Sequence, residues 1–71
     1  MPIIIKTRAL LAALKNLGFK EKRQKGSHLF LEHPDGRTTV IPLHEEIQAG
    51  LLTKIIKEDL KMNKEEFFKN L

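Results

Sequence analysis

Between residues 7 and 18 the apolar positions recur with a helical period. Leu10, Leu11, Leu14 and Leu17 fall at i, i+1, i+4 and i+7, padded by Ala9, Ala12 and Ala13. This spacing predicts a helix with Thr7 as its cap and Gly18 as its stop. From Phe19 to Arg23 the period is lost, and alternating charged residues predict an edge strand that water reaches on one side. Gln24-Lys25-Gly26-Ser27 reads as a tight connection in which Gly26 is free to take positive φ. His28 to His33 is the next strand. Pro34-Asp35-Gly36 then turns the chain into Arg37 to Ile41, which is rich in β-branched residues. Pro42 ends that strand, and Leu43 to Ala49 is expected to be a connecting loop. A second helix is predicted near Gly50, with Leu51, Leu52, Ile55, Ile56 and Leu60 on one stripe. Asn63 and Glu66 have capping-box spacing and Met62 is placed to staple against Phe67, so a last short helix runs through Phe68.

The predicted class is α+β: an α-β-β-β-α order with a three-stranded antiparallel meander and both amphipathic helices on one face of it. The other face is left open. Side chains alternate along the middle strand, so Leu29, Leu31 and His33 go to the covered side, and His28, Phe30 and Glu32 go to the open side. Nothing along the 71 residues reads as a linker or a repeat, which makes residues 1–71 a single domain in expectation. A domain of that size buries only about 60% of the surface its unfolded chain exposes, so its core is small.

Composition narrows the chemistry. With no cysteine there is neither a disulfide framework nor a thiolate metal site, and the expected compartment is the cytoplasm. Met-Pro-Ile-Ile-Ile at the start is too short for the apolar core of a signal peptide, and no stretch has the length of a membrane span. The net charge of +4 favours a polyanionic partner. Its distribution says more than its total. Residues 1–42 hold eight basic groups against three acidic ones, while residues 43–71 hold five against six. Lys20, Lys22, Arg23 and Lys25 crowd just ahead of His28.

In order along the chain stand Leu-Gly-Phe at 17–19, Arg-Gln-Lys-Gly-Ser-His at 23–28, His-Pro-Asp-Gly-Arg at 33–37, Ile-Pro-Leu-His at 41–44 and a glycine at 50. This ordered set resembles the HicA toxins of bacterial and archaeal toxin-antitoxin pairs over nearly the whole chain. The resemblance implies a fold similar to the double-stranded RNA-binding domain and an mRNA interferase activity. It also implies dependence on the histidine of Gly-Ser-His, here His28, and a HicB antitoxin that covers that histidine. The sequence departs from the family pattern at Leu51-Leu52-Thr53 and at Glu21, where an apolar residue is expected on the first strand.

RNA carries its own nucleophile, the 2′-hydroxyl, and a base that takes its proton lets the oxygen attack the adjacent phosphorus. That route needs no metal and no small-molecule cofactor. Histidine suits the task because an ordinary imidazole holds both protonation states near neutrality. Lys25, the Ser27 hydroxyl and the N–H groups around Gly26 are the candidate donors for the phosphoryl oxygens, with Arg23 and Arg37 nearby and Lys20 and Lys22 as further phosphate contacts. Phe30 has two readings, a stacking surface for an unpaired base or a contact for the antitoxin. His33 and His44 read as a turn neighbour and a loop residue, so no second acid-base group is evident. The three histidines lack the spacing of zinc ligands. The alternative function is a non-catalytic module that binds RNA or protein through the same basic sheet face.

Overall fold

A computed structural model describes residues 4–71, so Met1, Pro2 and Ile3 of the N-terminal apolar run lie outside the described residues. The elements follow as β1 (Ile5–Lys6), α1 (Thr7–Asn16), β2 (Lys20–Lys25), β3 (His28–Glu32), β4 (Thr38–Pro42), β5 (Glu46–Ile47), α2 (Ala49–Lys54) and α3 (Lys64–Phe68). A π-helical stretch, Ile55–Asp59, continues α2 directly. The fold is α+β, with β2-β3-β4 as a three-stranded antiparallel sheet inside the expected double-stranded-RNA-binding-domain-like order.

One hydrophobic cluster joins Leu10, Ala13 and Leu14 of α1 to Leu29 and Leu31 of β3, Ile41 of β4, and Leu52, Ile55, Ile56 and Leu60 of the second helical stretch. Both helical layers therefore cover the same side of the sheet. Phe67 of α3 is fully buried in that cluster, and Met62 packs against it. The Asn63 side chain accepts the Glu66 N–H at 2.8 Å, which is the capping interaction the spacing predicts.

Three local expectations need correction. Thr7 is not the cap of α1. Lys6 holds that position in extended conformation, and Thr7 is the first helical residue. Its N–H donates to the Glu45 carbonyl at 3.0 Å, and its hydroxyl donates to the His44 carbonyl. The cause is the short β1–β5 ladder, Ile5 opposite Ile47 and Lys6 opposite Glu46, which ties the entry to α1 against the segment expected to be plain loop. That ladder is the second correction. The third is Leu51, which is 39% exposed rather than part of the buried stripe. Ile55 and Leu60 are five residues apart, and a widened turn is what brings both inward. The Leu60 N–H reaches the Ile55 carbonyl at 2.9 Å, an i to i+5 bond. The same turn aims Asp59 at β4, where its carboxylate accepts the hydroxyl of buried Thr39 at 2.9 Å.

Gly18 ends α1 with φ of +104°, and the Phe19 N–H returns to the Leu14 carbonyl. A Cβ at Gly18 would stand 2.8 Å from Nε2 of His33. That imidazole bonds the Leu17 carbonyl at 2.9 Å and lies edge-on to Phe19, with ring centroids 5.1 Å apart. Since a carbonyl only accepts, Nε2 donates to it, while Nδ1 lies 3.1 Å from the Asp35 nitrogen and 3.0 Å from the Asp35 carboxylate. His33 thus joins the end of α1 to the β3–β4 turn on the covered side, as alternation predicts.

Candidate active site

The middle strand divides its side chains as the sequence implies. Leu29 and Leu31 are buried, His28 is exposed, and Phe30 and Glu32 are half-buried on the open face. What reaches His28 across the sheet depends on an irregularity in β2. Phe19 is buried on the helix side, and Glu21 pairs with Leu31, which puts it on that side too. Strict alternation would send Arg23 and Lys25 the same way. A β-bulge between Glu21 and Arg23, with Lys22 as its extra residue, shifts the phase by one. Beyond it Arg23 stands opposite Phe30, and Lys25 stands directly opposite His28. The bulge is what delivers both cations to the open face.

Before the bulge Glu21 keeps its covered-side position without burial. Its carboxylate pairs with Lys15 of α1 at 3.0 Å, which is how a charged residue occupies a place where an apolar one is expected. The turn leading into β3 is braced on two sides. Gln24 Nε2 donates to the Gly26 carbonyl at 3.1 Å, and the Leu43 N–H donates to the Ser27 carbonyl at 2.6 Å. Gly26 takes φ of +59° at the first central position of this two-residue turn, with Ser27 beside it and both exposed. The His28 ring makes no side-chain hydrogen bond among the described residues.

One step along the face, the Arg23 guanidinium lies 4.9 Å from the centroid of the Phe30 ring. Arg23, Phe30, Glu32, Thr38 and Val40 line a shallow depression of about 330 Å³ on this face. Lys22 Nζ sits 3.2 Å from the Glu32 carboxylate, and Lys20 is the cross-strand partner of Glu32. These two lysines are at the opposite end of the strand pair from His28.

Arg37 is not brought to this face. Its Nε donates to Asp35 at 2.8 Å and its Nη1 to the Leu60 carbonyl at 2.6 Å, and its guanidinium lies 5.3 Å from the Phe19 ring centroid on the covered side. Of the residues selected from sequence, Lys25, Gly26, Ser27, His28, Arg23 and Phe30 form one contiguous surface. Lys20 and Lys22 flank it, and Arg37 stands apart. Among the described residues no three His, Cys, Asp or Glu side chains converge as metal ligands, and no helix is long and apolar enough to cross a membrane.

Residues 7–59, three quarters of the chain, match the family model described as HicA toxin of bacterial toxin-antitoxin. The chain belongs to the HicA toxin family. The matched span runs from the first residue of α1 to the last of the π-helical stretch, so it takes in the whole three-stranded sheet and the Gly-Ser-His turn. Membership makes this chain a toxin of a toxin-antitoxin pair, with an antitoxin as its partner. No curated protein sequence matches it. Within this HicA-family chain, α3 lies beyond the matched span and still adds Phe67 to the core.

Proposed function

We propose that this HicA-family toxin is a metal-independent endoribonuclease that cleaves mRNA in the cytoplasm, with His28 as the general base. In this reaction the His28 imidazole takes the proton of the ribose 2′-hydroxyl at the cut site. The freed oxygen attacks the adjacent phosphorus. Charge that builds on the phosphoryl oxygens meets Lys25, the Ser27 hydroxyl and the exposed N–H groups of the Gly26-Ser27 turn. The Arg23 guanidinium, lying over the Phe30 ring, offers a flat surface to a neighbouring base, and Lys20 and Lys22 draw in the phosphates beyond it. Cleavage is expected to be weakly selective for sequence. The partner is a HicB-like antitoxin that silences the toxin by covering His28.

A single observation carries this reading: His28 is exposed on the open sheet face and stands directly opposite a lysine, at the mouth of a braced glycine turn. Cleavage of single-stranded RNA is to be measured with chelator present for the intact chain and for His28→Ala. The intact chain should cut, and the variant should lose about 10²–10⁴-fold in rate, the usual worth of a positioned acid-base group. RNA affinity should be unchanged, and a substrate with a 2′-deoxy sugar at the cut site should resist. Equal cleavage by both proteins would remove His28 from the reaction, and binding without cleavage by either would identify a non-catalytic RNA-binding or protein-binding module instead.

A further inference from the structure

Transfer of a proton from the 2′-hydroxyl is half of the reaction. When the P–O5′ bond breaks, the departing 5′-oxygen needs a proton, and a single histidine does not hold one for each end at once. A donor must stand on the far side of the phosphorus from His28.

His28 pairs with Pro42, and the Leu43 N–H donates to the Ser27 carbonyl, so β3 and β4 remain in register one step past the end of the regular ladder. His44 is therefore the diagonal neighbour of His28, level with the Gly26 turn. Diagonal positions of an antiparallel pair stand roughly 7–8 Å apart, within reach of long side chains. Leu43 packs against the core, and His44 is exposed at the bend that follows it, two residues past the Pro42 that stands opposite His28. The position is held by main chain alone. The His44 carbonyl takes the Thr7 hydroxyl and the Glu45 carbonyl takes the Thr7 N–H, while the His44 ring makes no side-chain hydrogen bond among the described residues. His44 borders an open depression of about 280 Å³ together with Lys6, Thr7, Arg8 and Glu45. Lys6 is paired there with Glu45 and Glu46 at 3.7 and 3.2 Å, so among the described residues Arg8 is the cation open to the RNA strand beyond the cut.

We infer that His44 is the second catalytic residue, the general acid for the 5′-oxygen; the assignment rests on the endoribonuclease reading above. His28 accepts the 2′-hydroxyl proton as the 2′-oxygen bonds to phosphorus. The P–O5′ bond breaks with its electron pair going to O5′, and the His44 imidazolium supplies the proton there. The products are a 2′,3′-cyclic phosphate and a free 5′-hydroxyl. Protons gained and lost by the two rings balance, and solvent resets both.

The test uses two RNA substrates, one ordinary and one in which sulfur replaces the bridging 5′-oxygen at the cut site. A thiolate leaves without a proton, so the sulfur substrate does not need a general acid. On ordinary RNA, His44→Ala should be slower than the intact chain by about 10²-fold or more. On the sulfur substrate it should come within about 10-fold of the intact chain, while His28→Ala stays slow on both. Full activity of His44→Ala on ordinary RNA, or an equal loss on both substrates, would overturn the assignment and leave His28 in its role. If the intact chain cuts neither substrate, the endoribonuclease reading fails and His44 falls with it. Because the His44 ring holds no other group in place, the variant should unfold with the same midpoint as the intact chain.

Discussion

His33 and His28 show how the surroundings of a side chain decide its use. Both sit at ends of the same strand region. Gly18, Phe19 and the Leu17 carbonyl enclose the His33 ring, so it works as a clamp between helix and turn. His28 has none of these neighbours and is left to the solvent. Next to His33, Asp35 Oδ1 accepts the Arg37 backbone N–H at 3.0 Å, and its other oxygen accepts from the guanidinium. These bonds, the backbone one foremost, hold the Asp35 carboxyl below its ordinary value of 3.8, with His33 acting in the same direction. A carboxyl with a depressed folded pKa contributes stability in full above its unfolded pKa and loses it as pH falls through the folded value. An NMR titration should therefore place the Asp35 midpoint below 3.8, with the Arg37 amide shift moving in step. In Asp35→Asn that acid transition of the Arg37 amide should vanish. A midpoint at or above the ordinary value would show that the turn does not favour the carboxylate.

Elements here are set by where they must stop or shift as much as by propensity. α1 was legible because its leucines keep one period and its stop is a glycine. The β2 bulge was not, since Glu21 to Lys25 are all polar and no apolar residue marks which way each side chain points. Nor was the β1–β5 ladder, because two-residue strands carry no periodicity to read. The π-helical turn left one trace, the five-residue interval from Ile55 to Leu60, which a stripe drawn at helical period absorbs without notice. Gly18 carries the sharpest prediction at this scale. Its φ is one that a side chain seldom adopts, and a Cβ there would run into His33. Gly18→Ala should lower unfolding stability by more than about 1 kcal/mol, measured by urea denaturation. The loss should shrink when His33→Ala is already present, since the steric part is then gone while the backbone part remains. If the glycine substitution costs the same in both backgrounds, the close approach of His33 does not contribute.

At the scale of the molecule, the two sides of the sheet separate Arg23, on the open face, from Arg37, on the covered one. Sequence grouped Arg37 with Arg23 and Lys25 because all lie in the basic first half, but a residue number does not reveal a face. The phase shift at Lys22 carries Arg23 and Lys25 onto the open side, while Asp35, Phe19 and the Leu60 carbonyl hold Arg37 on the covered one. Salt dependence of RNA affinity separates these roles. Each phosphate contact on a single strand releases counterions worth about 0.7 in the slope of log K against log salt. Lys25→Ala and Arg23→Ala should each flatten that slope by about this amount while leaving the unfolding midpoint close to that of the intact chain. Arg37→Ala should do the reverse. Its loss leaves the Leu60 carbonyl without its donor and uncovers the Phe19 ring, so the protein should unfold at lower denaturant with the slope unchanged. A flattened slope in Arg37→Ala would mean that its guanidinium leaves the covered side when RNA binds. The hydrogen bond to Leu60 would then be a contact the protein gives up on binding rather than a fixed part of its core.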